Sequence, residues 1–319
     1  MVRKYSHISV MVHEIVESIS PRESGVYVDA TFGGGGWSVA LLEAANCRVI
    51  GVDRDQQAIK GGMSLVEHYN GRLTLLQGRF GNLEELLFSN GITKVNGVAL
   101  DLGVSSMQLD RAERGFSFRQ DGPLDMRMGN DGITAADLIN NSSEKELATL
   151  IRSLGEERRA ARIARAIVAA RQSKPLTTTG ELSSIITNLL GFPRARIHPA
   201  TRTFQALRMT INEELEELRK GLVMAEKVLT PGARLAAVSF HSLEDRLVKR
   251  FFTDRSGKRP RNSRHQPDVP SPHAATFHLP TRMQRPSGDE VMRNPRARSA
   301  RLRTALRTNA SPWPQEVAA

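Results

Sequence analysis

Two aspartates flank a glycine-rich turn at the spacing of a nucleoside-binding crevice. Val26 to Ala30 reads as a strand that carries Asp29 and runs into Gly33-Gly34-Gly35-Gly36, with Trp37 opening a helix. Glycines at such a turn let the backbone bend tightly and approach a ligand closely. About twenty residues further on, Arg48 to Val52 reads as a second strand, ended by Asp53. A carboxylate there can accept hydrogen bonds from both hydroxyls of a ribose. The glycines do not follow the G-x-G-x-x-G pattern of a pyrophosphate cradle. Asp29 would repel a pyrophosphate, whereas its charge suits the ammonium group of a methionine moiety. These features favour S-adenosylmethionine over a nicotinamide dinucleotide.

A third acid, Asp101, ends the run Val95 to Leu100 and opens Asp101-Leu102-Gly103-Val104-Ser105-Ser106. In open parallel sheets ligands bind beyond the carboxyl ends of the strands, so Asp101 is placed to face a reacting centre. An exocyclic amine on a base has its lone pair delocalised into the ring. A carboxylate or carbonyl that accepts the amine N–H localises that pair and holds it in line with a methyl–sulfur bond, so positioning and electrostatics carry the rate. Methylation at carbon 5 of a pyrimidine needs a cysteine nucleophile instead. Cys47, the single cysteine, sits at the start of the second strand, the wrong end for that chemistry, and is expected to be a small buried side chain. His241 lies between Ser239 and Ser242 at the end of a fifth strand; it is expected to line the base pocket and is the second catalytic candidate. No nucleophile elbow accompanies it, so a hydrolase triad is not expected. One cysteine excludes an internal disulfide and a Cys-rich zinc site, and no metal is expected.

A parallel sheet covered on both faces must hold these residues. Short apolar runs alternate with helical stretches through the first hundred residues or so, the pattern of such a sheet. From Gln108 to Ala206 the strand signal disappears. Capping boxes at Ser143/Glu146 and Thr178/Glu181 open helices, and Glu156 to Gln172 is strongly helical. One long helix is expected over Thr203 to Leu229, then a Pro231-Gly232 turn into a strand over Arg234 to Phe240. A mobile loop over 253–286 and a last strand within Arg293 to Arg307 follow. The expected organisation is an α/β domain in two parts, 1–107 and 207–319, around an all-helical insert, 108–206, for substrate recognition.

The chain has 319 residues, 39% hydrophobic and 25% charged, which is ordinary for a folded protein. No run approaches a membrane span, and His7, His13 and Glu14 interrupt any signal-peptide core, so a cytoplasmic protein is expected. A formal net charge of +11 favours a polyanionic partner. Arg158, Arg162 and Arg165 recur along the 156–172 helix, and Arg293 to Arg307 holds six arginines, Arg296 and Arg298 among them, with no acid. Arginine suits phosphate because its planar fork donates two parallel bonds. Arg202 and Arg208, near the end of the insert, are read either as phosphate ligands or as ties between domains.

The chain resembles the bacterial small-subunit ribosomal RNA (cytosine-N4)-methyltransferase H family (RsmH, also called MraW), nearly end to end. The resemblance is carried by His7-Ile8-Ser9-Val10, by Val28 to Ser38, by Gly51-Val52-Asp53-Arg54-Asp55 and by Asp101 to Asp110. It continues through Glu113 to Phe118, Gly122 to Met128, His198 to Arg208, Ser239 to Arg246 and Asn294 to Ser299. It implies a Rossmann-like class I S-adenosylmethionine-dependent methyltransferase domain with an inserted helical domain. The implied activity is N4-methylation of a cytidine in the decoding region of 16S rRNA. Matching positions imply cofactor contacts at Gly35, Gly36, Trp37, Asp53, Phe80, Asp101 and Gln108. Trp37 stands where family members usually carry histidine, and Ala30 where they carry glycine. The implied partner is 16S rRNA or the small ribosomal subunit; neither DNA nor a membrane is expected, and a homodimer is left open. The competing readings are a non-catalytic RNA-binding ribosome assembly factor and an NAD-dependent oxidoreductase.

Overall fold

The structure, a computed structural model, describes residues 9–129, 131–191, 198–257 and 273–314. The chain divides into two compact units. One takes the residues up to Gly103 and from Leu215 onward; the other is Val104–Glu214.

In the first unit the elements run α1 (Val12–Ile19), β1 (Val26–Asp29), α2 (Gly36–Ala44), β2 (Arg48–Asp53), α3 (Gln56–Tyr69), β3 (Leu73–Gln77), α4 (Leu83–Phe88) and β4 (Val95–Asp101). Residues Val12, Ile15, Val16 and Ile19 give α1 one apolar face by helical spacing. The chain leaves this unit after β4. The unit resumes at Leu215, after the helical segment described below, within α11 (Glu214–Val228), and continues with β5 (Leu229–Ser239), α12 (Ser242–Arg255), β6 (Phe277–His278), α13 (Gly288–Arg293) and β7 (Arg301–Arg307). The seven strands form one sheet in the order β3-β2-β1-β4-β5-β7-β6. β3 to β5 are parallel, and β7 runs antiparallel to both its neighbours.

The strands alternate between two buried faces, which is why they read as nearly continuous apolar runs. Val28, Val98, Leu100, Leu235 and Ala237 pack with Leu83 and Leu87 of α4 and Leu218 and Leu222 of α11. Tyr27, Ala99, Ala236 and Val238 pack on the other face with Ile15 and Ile19 of α1 and Leu41 of α2. Each large apolar side chain so buried contributes roughly 1.5–3 kcal/mol. The sheet grows outward in both directions from β1 and β4, so the strand order reverses between them. Ligands bind at such a reversal in open α/β sheets.

The second unit comprises α5 (Ser106–Asp110), α6 (Ala135–Asn141), α7 (Glu144–Gly155), α8 (Ala160–Ser173), α9 (Thr179–Leu190) and α10 (Thr201–Ile211). Its own core includes Leu147, Ile151, Ile163, Ile167, Leu182, Phe204 and Leu207. The capping boxes at Ser143/Glu146 and Thr178/Glu181 form as read from sequence. Among the described residues no helix is long and apolar enough to cross a membrane.

Several elements differ from the sequence expectation. The long helix over 203–229 is two helices, because Glu213 adopts a left-handed φ of 52°. The preceding Asn212 side chain accepts the Met128 N–H at 2.8 Å and donates to the Met126 carbonyl at 2.8 Å, tying the break to a distant segment. α8 starts at Ala160 rather than Glu156, since Glu156, at φ 49°, is the left-handed cap of α7. Gly155 serves close packing instead: a Cβ there would lie 2.5 Å from the Arg202 carbonyl oxygen. Pro231-Gly232 falls inside β5, within an irregularity in its pairing with β4, so the strand starts at Leu229. Of the expected loop 253–286, residues 258–272 lie outside the described residues. The rest includes the end of α12, the short β6 and a bridge from Gln284 to Leu302.

Candidate cofactor and reaction site

The carboxyl ends of β1, β2 and β4 bring Asp29, Asp53 and Asp101 to one edge of the sheet. Asp29 pairs with Gly51 in register, and Asp53 lies two residues further along β2. Two bonds tie the glycine turn to the end of β2. The Phe32 N–H donates to the Val52 carbonyl at 2.9 Å, and the Gly33 N–H donates to Asp53 Oδ2 at 2.7 Å. Gly33 and Gly35 take φ of 52° and 77°, a region that favours glycine. Asp53 Oδ1 accepts the Asp55 N–H at 2.8 Å. Burial lifts the Asp53 carboxyl to about 6, against the two backbone N–H bonds that favour its charge.

Two supports of this turn carry no signal in the sequence. The Phe32 ring occupies the space that side chains at Gly35, Gly51 and Gly62 would need, since a Cβ at each would come within 2.5–2.7 Å of it. Ser9 crosses Gly36 so closely that a Cβ there would sit 1.8 Å from the serine Oγ. Gly36→Ala is therefore expected to destabilise by about 1–3 kcal/mol through overpacking. Adding Ser9→Gly should recover most of that loss in urea unfolding; a single variant as stable as wild type would show that the segment yields freely.

Trp37 is committed to the fold. Its side chain is buried, and Nε1 donates to the Val10 carbonyl at 2.8 Å. That bond fastens the segment before α1 over the start of α2, leaving only the Trp37 backbone for a ligand. Asp29 is 1% exposed; its Oδ2 accepts the Ser38 hydroxyl at 2.8 Å. Burial raises the Asp29 carboxyl to about 6, with Asp53 adding to the shift.

A raised carboxyl means the folded chain holds protons that the unfolded chain has already lost. As pH falls from 7 through 6 towards 4, Asp29 therefore adds stability, up to about 3 kcal/mol, and below about 4 the gain stops. Wild type minus Asp29→Asn, compared by denaturant unfolding from pH 7 to 4, should show this rise. A flat difference would place the Asp29 carboxyl at its ordinary value.

Asp101 differs from both. Its N–H donates to Thr31 Oγ1 at 2.7 Å, which fixes the backbone, but Oδ1 is sealed from solvent with no hydrogen-bond partner among the described residues. Burial, then Asp29, then Glu244 push its carboxyl well above the usual range. Glu244 was not anticipated from sequence. It is buried on α12, where Oε2 accepts the Phe240 N–H at 2.8 Å. An acid in this setting favours its neutral form until a cation or a donor group arrives.

The remaining candidates are dispersed. His241 is the N-cap of α12: its Nδ1 accepts the Glu244 N–H at 3.4 Å, and its buried Nε2 lies 3.1 Å from Glu244 Oε1. Phe80 lies just past β3 in a short 3-10 turn, Phe80–Asn82, at the margin of the same edge. Gln108 belongs to the helical unit, where it closes a capping box with Ser105 at the start of α5.

The arginines divide by partner. Arg158, Arg162 and Arg165 are exposed, and Arg165 makes an open 3.5 Å pair with Glu144. Arg158 precedes α8 instead of lying on it. Arg296 and Arg298 are exposed on the turn Pro295–Ser299. Arg208 makes a bidentate pair with Glu214 at 2.7 and 2.8 Å, a partner within the helical unit. Arg202 donates to the Glu156 carbonyl at 3.1 Å and lies 3.6 Å from Glu157, also within that unit.

The MraW methylase family model matches residues 4–308. The chain is 54% identical over 318 residues to the ribosomal RNA small subunit methyltransferase H of Bradyrhizobium diazoefficiens, with 97% of this chain and 96% of that protein covered. The protein of the same description from Nitrobacter hamburgensis is 55% identical over 305 residues, covering 95% and 91%. That from Rhodopseudomonas palustris is 53% identical over 309 residues, covering 97% and 93%.

Proposed function

The chain belongs to the MraW methylase family, and from that premise we propose that it transfers a methyl group from S-adenosylmethionine to the N4 amine of a cytidine in the decoding region of 16S rRNA. The observation that carries this reading is the unpartnered acceptor at Asp101, sealed at the end of β4 beside the glycine turn. Among buried polar atoms an acceptor without a donor is uncommon and calls for a ligand group.

The residues present fit the donor. Asp53 keeps lone pairs for two ribose hydroxyls after accepting one N–H on each oxygen. The turn presents backbone without side chains at Gly33 and Gly34, and Asp29 supplies negative field for a cation. When bound, S-adenosylmethionine supplies a methyl group activated by a positive sulfur. That positive charge also favours the ionised form of Asp101. Asp101 Oδ1 then accepts an N–H of the cytosine amine, localises its lone pair, holds it in line and takes the proton that the amine releases on methylation. No nucleophilic side chain is needed. His241 lines the base pocket from the start of α12 and orders that helix; it transfers no proton.

Arg158, Arg162, Arg165, Arg296 and Arg298 contact RNA phosphates, so affinity falls steeply as salt rises. The activity is assigned to the cytoplasm, where the small subunit is assembled. Mass spectrometry of 16S rRNA nucleosides tests the proposal. A strain lacking the protein should lose N4-methylation at one cytidine, and the wild-type gene should restore it. A full mark in the deletion strain would reject the activity. Restoration by an Asp101→Ala gene would favour the non-catalytic assembly factor.

A further inference from the structure

α11 carries two residues that are poor choices for a helix yet share one face a turn apart, Glu217 and Gly221. A glycine within a helix costs about 1 kcal/mol against alanine, and a buried carboxylate must be compensated for lost water. Both costs meet the same short segment beyond β3. The Phe80 ring lies on the bare backbone of Gly221: a Cβ there would come within 2.2 Å of Phe80 Cδ2 and 2.5 Å of Cε2. The next residue, Gly81, donates its N–H to Glu217 Oε1 at 2.7 Å, and Glu217 is 7% exposed. Upstream, the Gly78 N–H donates to the Asp53 carbonyl at 2.9 Å. The segment is thus pinned at one end to the ribose-binding acid and at the other to α11.

The geometry points to Glu217 and Gly221 as positioning residues for the methyl donor. They set Phe80 as a wall for the purine of the cofactor, next to the ribose held by Asp53. This rests on the donor reading of the crevice above. Neither residue touches the donor; both act through Phe80. Gly221→Ala pushes the ring off its seat, and Glu217→Ala frees the Gly81 N–H, while Glu217→Gln keeps an acceptor of the same reach.

The test is calorimetric titration of S-adenosylhomocysteine, which has no methyl to transfer, into the full chain. Gly221→Ala and Glu217→Ala should each weaken binding about tenfold, and Glu217→Gln should stay within about twofold of wild type. In a Phe80→Ala background, Gly221→Ala should weaken binding no further, because its effect runs through that ring. Full additivity in that background, or wild-type affinity in both α11 variants, overturns the inference and leaves these residues a purely structural task. If Gly221→Ala does not fold, the two Glu217 variants decide: equal affinity in Glu217→Ala and Glu217→Gln rejects the role. Absence of binding by wild type rejects the donor reading itself, and this inference with it.

Discussion

Replacing Asp101 by alanine is expected to lower methyl transfer about a hundred- to ten-thousand-fold without loosening the fold. The two halves of this prediction share one cause. Asp101 Oδ1 is buried without a donor, and Asp29 and Glu244 add like charge nearby. An unsatisfied buried acceptor destabilises the folded chain by about 1–3 kcal/mol, so its removal leaves stability unchanged or raises it. The same acceptor is the group proposed to hold the amine, so its removal strikes the reaction directly. Single-turnover transfer of labelled methyl to small subunits lacking the modification, read beside thermal unfolding, separates the effects. Wild-type turnover in the variant would take Asp101 out of the mechanism; a large drop in melting temperature would assign it to the fold. Asp101→Asn, which can still accept through its amide oxygen, should lose less than alanine.

Glu226→Ala is expected to produce the largest loss of stability, about 3–5 kcal/mol. Glu226 is fully buried on α11 and accepts from Arg255 Nε at 3.0 Å and from the Thr276 hydroxyl. Arg307, also buried, donates to the Glu226 carbonyl at 3.1 Å, and burial lowers its own pKa against the pull of Glu226. Removing the carboxylate strips two sheltered guanidinium groups of their nearby anion, which costs more than the intact pair contributes. Arg255 keeps its stacking over Trp313, 4.1 Å from the ring centre, and over Phe251, so part of the edge survives. Urea unfolding of Glu226→Ala and Glu226→Gln measures the effect. A loss under about 1 kcal/mol in the alanine variant would mean that water or rearrangement replaces the charge.

The arginine-rich stretch 293–307 shows why charge read along a chain overstates a binding surface. Burial pushes the Asp245 carboxyl up, but hydrogen bonds from Arg303 and Arg301 outweigh it and hold the group below its ordinary range. Those bonds measure 2.7 and 2.8 Å and fix β7 to α12. With Arg307 buried, Arg301, Arg303 and Arg307 all serve the fold. Arg208 pairs in the same way with Glu214. Sequence spacing showed where positive charge lies but not which acid, far along the chain, answers it.

The alternation of apolar runs and helical stretches determined the sheet, because a strand buried on both faces must be apolar along its length. The residues that end such strands were legible for the same reason: Asp29, Asp53 and Asp101 each mark where an apolar run stops. Capping boxes were legible because they act over three residues. What stayed hidden involves partners remote in sequence. The break at Asn212-Glu213 serves Met126 and Met128; Trp37 answers Val10; Glu244 charges the surroundings of Asp101; Gly221 makes room for Phe80. Local periodicity reports which face of an element is buried, whereas the identity of the neighbour on that face is set only when distant segments pack together.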